Sequence, residues 1–537
     1  MLNAFLLYAD SEYGNGKPYQ DTESIVQDLG LKLLFENAAI NQQARNRTVK
    51  QSIDLDEEIR KAMRKVMMNP LRTEEEIAYR QGVLKDFLAC PDFTEKLYEI
   101  TSRLMANWRK HGKAQREKGN SMDTSRQLIS EIKLLHIFLN ALSELKLLCR
   151  KYRLDFKSAG VLRFCDMFET SYSDEWEQQV RKVLSSLRFF CDEDDKPGEK
   201  HFLKRVASSQ IVLEGSIGSG FKFRDMKLEH ISTQNKLLHR RKASKTIMEN
   251  LALTFSSDPM VILKDEEALQ DLDRLETAVV GYLFSYMQGF VKNCRDFFEA
   301  LSVQSAFYAG CNNLFIRCSQ IGLTLCYPTV CKGDCMKFEN LTELSMALYH
   351  RKAPVGNDCD FAGKMLLIVT GANQGGKSTF LRSIGIAQIM LQSGMFVAAG
   401  HFESGIFTHF FTHFVRREDT AMNSGRLDEE LGRINRIVNN LGKDSLVLLN
   451  ESFATTTEEE GSVISYDIIK ALVEAGVKVL TVTHLLSFAK RVYGEQREDA
   501  SFLCAQRKED GTRTYKMIIG EPELTSFGLD LYDKVIC

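Results

Sequence analysis

The stretch Gly371-Ala-Asn-Gln-Gly-Gly-Lys377-Ser378 decides the fold, because it fits the pattern GxxxxGK[ST] of a phosphate-binding loop. It follows the apolar run Met365-Leu-Leu-Ile-Val369 and leads into an uncharged stretch that begins at Ser383. Glycines let such a loop curl, so that its N–H groups face phosphate oxygens at the N-terminus of a helix. We therefore predict a strand, a nucleotide-binding loop (the P-loop) and a helix, in that order.

Two side chains of the P-loop carry the predicted chemistry. Lys377 would reach the β- and γ-phosphates of a nucleotide, and the Ser378 hydroxyl would ligate Mg²⁺. The simpler alternative is a glycine-rich turn that fits the pattern by chance, which the flanking strand and helix disfavour. The residues predicted to contact the nucleotide are Gly371, Ala372, Asn373, Gln374, Gly375, Gly376, Lys377, Ser378 and Thr379.

A second apolar run, Ser445-Leu-Val-Leu-Leu449, ends in Asn450-Glu451. Nucleotide hydrolysis needs an acidic group at the tip of such a strand, and an aspartate usually precedes it. Asn450 can hydrogen-bond a water molecule on Mg²⁺ but lacks the charge, so hydrolysis is expected to be slow or to depend on a partner. Glu451 is placed to orient and activate the attacking water, and its simpler alternative is an exposed carboxylate at a strand end.

Two further residues are candidates for the same site. The run Val477 to Val482 leads to His484, which could sense the γ-phosphate or hold the attacking water, although a lone histidine is more often structural. Ser424 precedes a helix that runs through Ile434 and Ile437. A serine there usually caps the helix, or it could be offered to the nucleotide of a partner subunit. The sequence alone does not decide between these roles.

Composition sets the broad class of protein. The chain has 537 residues, 44% hydrophobic and 26% charged, which is typical of a globular chain with several domains. A net charge of -2 gives no overall basic field that would indicate a nucleic-acid partner, although a local basic surface remains possible. We find no secretory signal and expect a cytoplasmic protein. The uncharged stretch from Ser383 to Phe402 is about as long as a membrane span, but its glutamines and the preceding P-loop favour a buried helix and a strand.

Thirteen cysteines are scattered without a CxxC pair or a Cys/His zinc spacing. Reduced thiols are the simplest interpretation, and a metal site is the alternative. The tightest group is Cys311, Cys318, Cys326, Cys331 and Cys335.

The order of patterns along the chain predicts its organisation. Helical periodicity covers Leu55 to Leu148, with a capping box at Thr73 and Glu76, and returns from Asp265 to Ala309. Between these arms, glycines separate two β-like runs, as in a hairpin. Beyond Leu323 short apolar runs alternate with helical stretches, which is typical of an α/β domain. The final strands are predicted as a hairpin around Asp510-Gly511, formed by Phe502 to Gln506 and Tyr515 to Ile519.

Residues from about 340 to 530 resemble the ATPase domain of the MutS family, the ABC-class ATPases of DNA mismatch repair. The resemblance implies ATP and Mg²⁺ as cofactors and a homodimer with two composite sites, in which the partner subunit supplies the serine that falls on Ser424. The stretches that carry it are TGANQGGKST (Thr370 to Thr379), IFTHF (Ile406 to Phe410), the Ser424 region, SLVLLNESFATTTEEEG (Ser445 to Gly461), TVTH (Thr481 to His484) and YKMIIGEPELTSFGL (Tyr515 to Leu529).

The helical part is similar to the core and lever helices of that family, on the residues Asn69 to Arg80 and less specifically. By this likeness, the β insert near Val212 to Phe223 would be a clamp that grips DNA. Basic residues there suit phosphate contacts, although a solvated surface is the alternative. The candidate DNA contacts are Lys222, Arg224, Arg240, Arg241 and Lys242.

The predicted fold class is a multidomain chain: a long α-helical lever and core with a small β-rich clamp insert, then an α/β P-loop ATPase domain of the ABC class. The predicted segments are a short N-terminal segment (1–50), the helical core and first lever arm (51–190), the clamp insert (191–262), the returning lever helices (263–322) and the ATPase domain (323–537).

Departures from the family pattern shape the predicted function. We find no Phe-x-Glu wedge before the core, and we expect neither a mismatch-reading domain there nor C-terminal dimerisation helices after Leu529. The Ser424 loop reads SGR rather than STF. We therefore expect an ATP-dependent clamp, without a membrane partner, that binds duplex or branched DNA rather than a simple mismatch. The alternative is an ATP-switched protein-interaction module without direct DNA binding, and a transporter ATPase is a weaker third.

Overall fold

The computed structural model describes residues 4–9, 17–40, 49–116, 124–186, 211–217, 223–231, 266–333, 335–415, 426–508 and 512–523. The chain divides into two units, one made of Met1–Asn3, Glu99–Lys151 and Cys165–Ala300, the other of Ala4–Tyr98, Tyr152–Phe164 and Leu301–Cys537. Helices predominate in the first unit, and the second carries two mixed sheets. The prediction of a multidomain chain with helical and α/β parts is confirmed at this level.

Helices occupy most of the two stretches with predicted helical periodicity, Leu55 to Leu148 and Asp265 to Ala309. Thr73 and Glu76 form the predicted capping box, in which Glu76 N–H donates to Thr73 Oγ1 (3.2 Å) and Thr73 N–H donates to Glu76 Oε2 (3.1 Å). The helices before the α/β region are Thr22–Asp28, Leu31–Ala39, Val49–Met67, Glu74–Ala89, Pro91–Arg116, Thr124–Tyr152, Ala159–Thr170, Asp174–Ser186 and Glu266–Ile321. Those within it are Leu344–His350, Lys377–Gln392, Arg426–Val438, Glu458–Glu474 and Leu486–Gly494.

The first unit is held by buried aromatic rings and one buried lysine. The rings of Phe138 and Phe298 stack with centroids 5.6 Å apart. Lys146 is buried, and its ammonium donates to Tyr172 O (2.8 Å) and lies 2.6 Å from Asp174 Oδ1. These partners satisfy a charge that would otherwise be costly to bury. The predicted hairpin is present as strands β1 (Ile211–Ile217) and β2 (Phe223–Ile231), paired antiparallel.

A six-stranded sheet forms the centre of the second unit. Four of its strands are parallel: β6 (Leu366–Thr370), β10 (Lys478–Val482), β9 (Ser445–Asn450) and β8 (His409–Phe414). Every residue of β6, β9 and β10 is buried, and helices lie along the chain between the four strands. Parallel strands covered on both faces read as continuous apolar runs, which is why the sequence revealed them. The order is β12-β11-β6-β10-β9-β8, with bounds Leu366–Thr370 (β6), His409–Phe414 (β8), Ser445–Asn450 (β9), Lys478–Val482 (β10), Ala500–Arg507 (β11) and Arg513–Ile519 (β12).

The uncharged stretch after the P-loop is a buried helix and a strand, as predicted. Helix Lys377–Gln392 (the P-loop helix) is buried almost throughout, and its Gln392 side chain donates to Leu71 O and Phe407 O. Strand β7 (His401–Ser404) ends the stretch. Among the described residues, we find no helix with the length and apolar character that a membrane span requires.

A second sheet and two early helices were not predicted. The sheet has the order β3-β7-β4-β5, with β3 at Thr329–Val330, β4 at Met336–Leu341 and β5 at Asn357–Asp360. Helices Thr22–Asp28 and Leu31–Ala39 lie where the sequence shows no strong period. Their junction packs on the P-loop helix, because a Cβ at Gly385 would lie 2.8 Å from Leu29. Asp28 also accepts a hydrogen bond from Thr412 (2.8 Å) on β8.

Candidate nucleotide site

A cavity of about 760 Å³ opens at the carboxyl end of β6. In open parallel sheets, ligands bind beyond the carboxyl ends of the strands, so this is the expected position for a site. One wall is the P-loop with the first turn of its helix, and Glu451 reaches the cavity from the end of β9. The other wall comes from residues 341–357 together with Tyr515 on β12.

The P-loop takes a backbone path that requires glycine. Gly371 has φ +106° and Gly376 has φ +95°, positive values that residues with a Cβ atom rarely adopt. A Cβ on Gly371 would also lie 2.8 Å from the backbone nitrogen of Ala505, and one on Gly375 would lie 2.8 Å from the Ala505 Cβ. Strand β11 therefore packs directly on the loop and fixes its shape.

Lys377 is the buried cation of the site. Its ammonium donates to Gly371 O (2.8 Å) and Ala372 O (3.0 Å), so the side chain folds back over the loop. Burial lowers the pKa of Lys377, and the nearby carboxylate of Glu451 opposes that effect. A partly desolvated ammonium gains more from an anionic ligand than an exposed one does.

Glu451 and His484 form a pair at the ends of neighbouring strands β9 and β10. His484 Nε2 lies 2.7 Å from Glu451 Oε1, and the two side chains are 26% and 33% exposed. The hydrogen bond with His484 is the largest cause that lowers the pKa of Glu451, and burial opposes it. Glu451 also has φ +56°, a conformation that costs a non-glycine residue energy and that clusters at functional sites.

The two predicted metal residues occupy different surroundings. Ser378 is half-buried and lines the cavity. Asn450 is buried, and its Oδ1 accepts no hydrogen bond within the part of the chain that the structure describes. A buried amide oxygen without a partner is costly, so a water molecule or ion beside it would be stabilised. These oxygen donors fit Mg²⁺, which prefers oxygen ligands and retains several waters.

The turn after Asn450 is braced from a neighbouring helix. Glu430, on helix Arg426–Val438, accepts hydrogen bonds from Phe453 N–H (3.0 Å) and Thr455 Oγ1 (3.2 Å). Burial raises the pKa of Glu430. The helix that follows the Ser424 loop is thereby tied to the turn that holds Glu451.

Two family models match the chain. Residues 72–321 match the MutS2 N-terminal domain, and residues 367–535 match MutS domain V. Together these matches take in most of the chain, and the second includes the whole P-loop, Glu451 and His484.

The chain belongs to the MutS family.

The chain matches only part of the length of each curated MutS relative. An endonuclease MutS2 of Pediococcus pentosaceus is 30% identical over 186 residues, which is 34% of this chain and 23% of the relative. MutS protein homolog 4 of Mus musculus is 32% identical over 184 residues, 33% of this chain and 19% of the relative. The DNA mismatch repair protein MutS of a Thermotoga species is 29% identical over 169 residues, which is 31% of this chain and 21% of the relative. The chain thus matches about a fifth of the length of each of these relatives.

Several predicted MutS-type contacts lie outside the described residues. These are Ser424, Lys222, Arg240, Arg241 and Lys242, and of Arg224 the structure describes only the β2 backbone. Their roles stay predictions.

The wall opposite the P-loop was missed by sequence reasoning. Glu343 lines it, is buried, and has a pKa raised to about 7 by that burial. Asn357 joins this wall to β12, because it donates to Tyr515 O (3.3 Å) and accepts from Met517 N–H (2.7 Å). Tyr515 lay in a stretch that resembles the family, but no local pattern links it to residues so far away in the chain.

Proposed function

We propose that this MutS-family chain binds Mg·ATP in the cavity and hydrolyses it, and that the nucleotide cycle controls a grip on DNA. The observation that carries the proposal is that Lys377 and Glu451, from two different strand ends, line one cavity. A cation for phosphate oxygens and a carboxylate for the attacking water are the two side-chain functions that phosphoryl transfer to water requires.

The roles follow from the positions. N–H groups of residues 371–376 and the Lys377 ammonium bind the phosphates, and Lys377 exchanges its two carbonyl partners for phosphate oxygens. Ser378 and Asn450 would hold Mg²⁺, which supplies charge neutralisation at the β- and γ-phosphates. Glu451 orients the attacking water, and His484 holds Glu451 ionised and in place.

The wall formed by residues 341–357 and Tyr515 would receive the nucleoside. It offers apolar and aromatic surface from Met346, Val355 and Tyr515, with few polar groups, as sites for planar ligands usually do. We propose that the base lies against this wall and that the phosphates extend toward Lys377.

Two parts of the proposal concern assembly and substrate. MutS-type sites are composite, so Ser424 of the partner subunit would complete each one when ATP closes a homodimer. The helix brace through Glu430 gives that closure a direct route to the turn carrying Glu451. DNA would be held through the basic residues near β1 and β2.

Nucleotide binding and turnover by matched variants test the ATPase proposal. Lys377→Ala should abolish ATP binding, and Glu451→Gln should bind ATP and leave it unhydrolysed. The controls are Lys364→Ala, which removes a surface lysine paired with Glu498 O, and Glu459→Gln on an exposed helix face. Normal turnover in either test variant would refute the assigned role.

A charge-reversal variant tests the DNA proposal and separates it from an ATP-switched protein-interaction module. Changing Arg240, Arg241 and Lys242 to glutamate should weaken duplex binding and reduce its dependence on salt, because phosphate contacts release counterions. Unchanged, salt-insensitive binding would contradict the clamp and favour the interaction module.

A further inference from the structure

Two cysteines meet at the end of a strand in the second sheet. Cys331 directly follows β3 and Cys335 directly precedes β4, and β7 lies between these two strands. Both cysteines are hydrogen-bonded to the end of β7: Cys331 N–H donates to Ser404 O (3.1 Å), and Gly405 N–H donates to Cys335 O (3.1 Å). The two Cα atoms are 6.3 Å apart and the sulfur atoms are in contact, as in a disulfide.

A carboxylate from the middle strand completes the cluster. Among the residues that the structure describes, Cys331 Sγ, Cys335 Sγ and a carboxylate oxygen of Glu403 all lie within 4.8 Å of one another. The three side chains are half-buried, so an ion could enter from solvent and still be partly shielded. His401, two residues earlier on the same face of β7, places Nε2 3.8 Å from a Glu403 oxygen.

The surroundings leave this carboxylate available. Lys337 lies directly opposite Glu403 in the β4–β7 register, yet its ammonium is 3.4 Å from Asp360 Oδ2 on the other side. Gly333 has φ +77° and lets the loop turn, and a Cβ on Gly405 would lie 2.7 Å from Gly333 O. The backbone of Gly333 therefore lies close to that of Gly405, just beyond the end of β7.

We propose that reduced Cys331 and Cys335, together with Glu403, bind a Zn²⁺ ion. Thiolate, carboxylate and imidazole are the ligands that Zn²⁺ takes in proteins, at about 2.0–2.3 Å, so tetrahedral ligand atoms lie about 3.5 Å apart. To reach that spacing the two sulfur atoms of the reduced cysteines would rotate apart, and the Glu403 carboxylate oxygen already lies within 4.8 Å of both.

The ion would brace one wall of the nucleotide cavity. It would tie β3, β7 and β4 together, and β4 ends at Leu341, which lines the cavity with Glu343. Binding of Zn²⁺ to the folded chain releases thiol protons and stabilises the fold. The proposal is independent of ATP hydrolysis.

Zinc content and affinity of the full chain, purified under reducing conditions, provide the test. We expect about one Zn²⁺ per chain, lost in Cys331→Ser and in Cys335→Ser and retained in Cys359→Ser, a half-buried thiol in the same sheet. In Glu403→Gln the affinity, measured by competition with a chromophoric chelator, should fall by about 10- to 100-fold or more. Chelation should lower the melting temperature of the wild type and leave that of Cys331→Ser unchanged.

Cobalt substitution provides a second test, which uses the wild type and so does not depend on the folding of a variant. Co²⁺ bound to the wild type should show a thiolate-to-cobalt charge-transfer band whose intensity corresponds to two thiolates. The proposal is overturned if the wild type binds no zinc while alkylation shows both thiols free, or if alkylation shows them joined as a disulfide under reducing conditions. Zinc retained in Cys331→Ser would overturn it equally.

Discussion

Removing the His484 imidazole should raise the pKa of Glu451 and shift the pH dependence of ATP hydrolysis. The hydrogen bond from His484 is the largest cause that lowers the pKa of this carboxyl. In His484→Ala that bond is lost and burial becomes the dominant influence, with Lys377 opposing it. Our proposal gives the carboxylate form of Glu451 the role of orienting the attacking water, so it predicts that the acid limb of the rate profile moves to higher pH.

The geometry of the pair sets the strength of the hydrogen bond that would be lost. Nε2 and Oε1 are 2.7 Å apart, which is the distance of a charge-assisted hydrogen bond worth about 1.5–3 kcal/mol when buried. The two side chains are 26% and 33% exposed, so solvent screening reduces the value to the lower end of that range. Loss of this hydrogen bond should therefore move the acid limb of the rate profile to higher pH.

The same pair affects stability with a defined sign. The pKa of Glu451 in the folded chain lies below its ordinary value of 4.5, so the contribution of the pair is present above that value. It is lost as the pH falls through the lower folded value. His484→Ala should therefore be less stable than the wild type at neutral pH, and the difference should shrink in acid.

Phosphate release at saturating Mg·ATP, measured across the pH range in which circular dichroism shows a folded chain, provides the assay. His484→Gln, which keeps an N–H donor, is the matched control and should restore part of the wild-type profile. If His484→Ala lowers the rate equally at every pH, with an unmoved acid limb, then His484 does not act through Glu451.

Three further predictions concern the fold around the site. Gly371→Ala should lower the free energy of unfolding by about 1–3 kcal/mol, because Gly371 has φ +106° and its Cβ would contact Ala505. The control, Gly432→Ala within a helix, should be neutral or stabilising, and equal denaturation midpoints for the two variants would contradict this prediction. Arg80 is fully buried and donates to two backbone carbonyls. Arg80→Met should therefore lower the free energy of unfolding in urea by at least about 2 kcal/mol. A midpoint equal to that of the wild type would show that those carbonyls find other donors. Thr73→Ala should lower the free energy of unfolding by about 1 kcal/mol, and Thr73→Ser should hardly change it, because serine keeps the N-cap hydrogen bond. Equal losses of thermal stability in the two variants would count against the capping box.

The parts of the fold that the sequence predicted are those with local signals. Strands β6, β9 and β10 are buried on both faces and read as continuous apolar runs. The P-loop pattern marks the end of β6, and the ends of parallel strands meet at one edge of a sheet. Placing Glu451 and His484 at strand ends was therefore enough to predict that both lie near the P-loop.

The missed parts depend on pairings between distant residues. Strand β3 has only two residues, and the second sheet joins segments more than seventy residues apart, so no window of sequence shows it. The early helices Thr22–Asp28 and Leu31–Ala39 are short, and tertiary packing on the P-loop helix supports them rather than a long apolar period. A metal site at Cys331 and Cys335 could not be predicted from the sequence, because Glu403 comes from a strand about seventy residues further along the chain.

The central claim, an ATPase coupled to DNA, is tested most directly by steady-state ATP hydrolysis of the full chain, alone and with duplex, mismatched, branched and single-stranded DNA. The account predicts turnover that duplex or branched DNA stimulates and that Lys377→Ala abolishes. Turnover that no DNA changes, or that survives in Lys377→Ala, would contradict it.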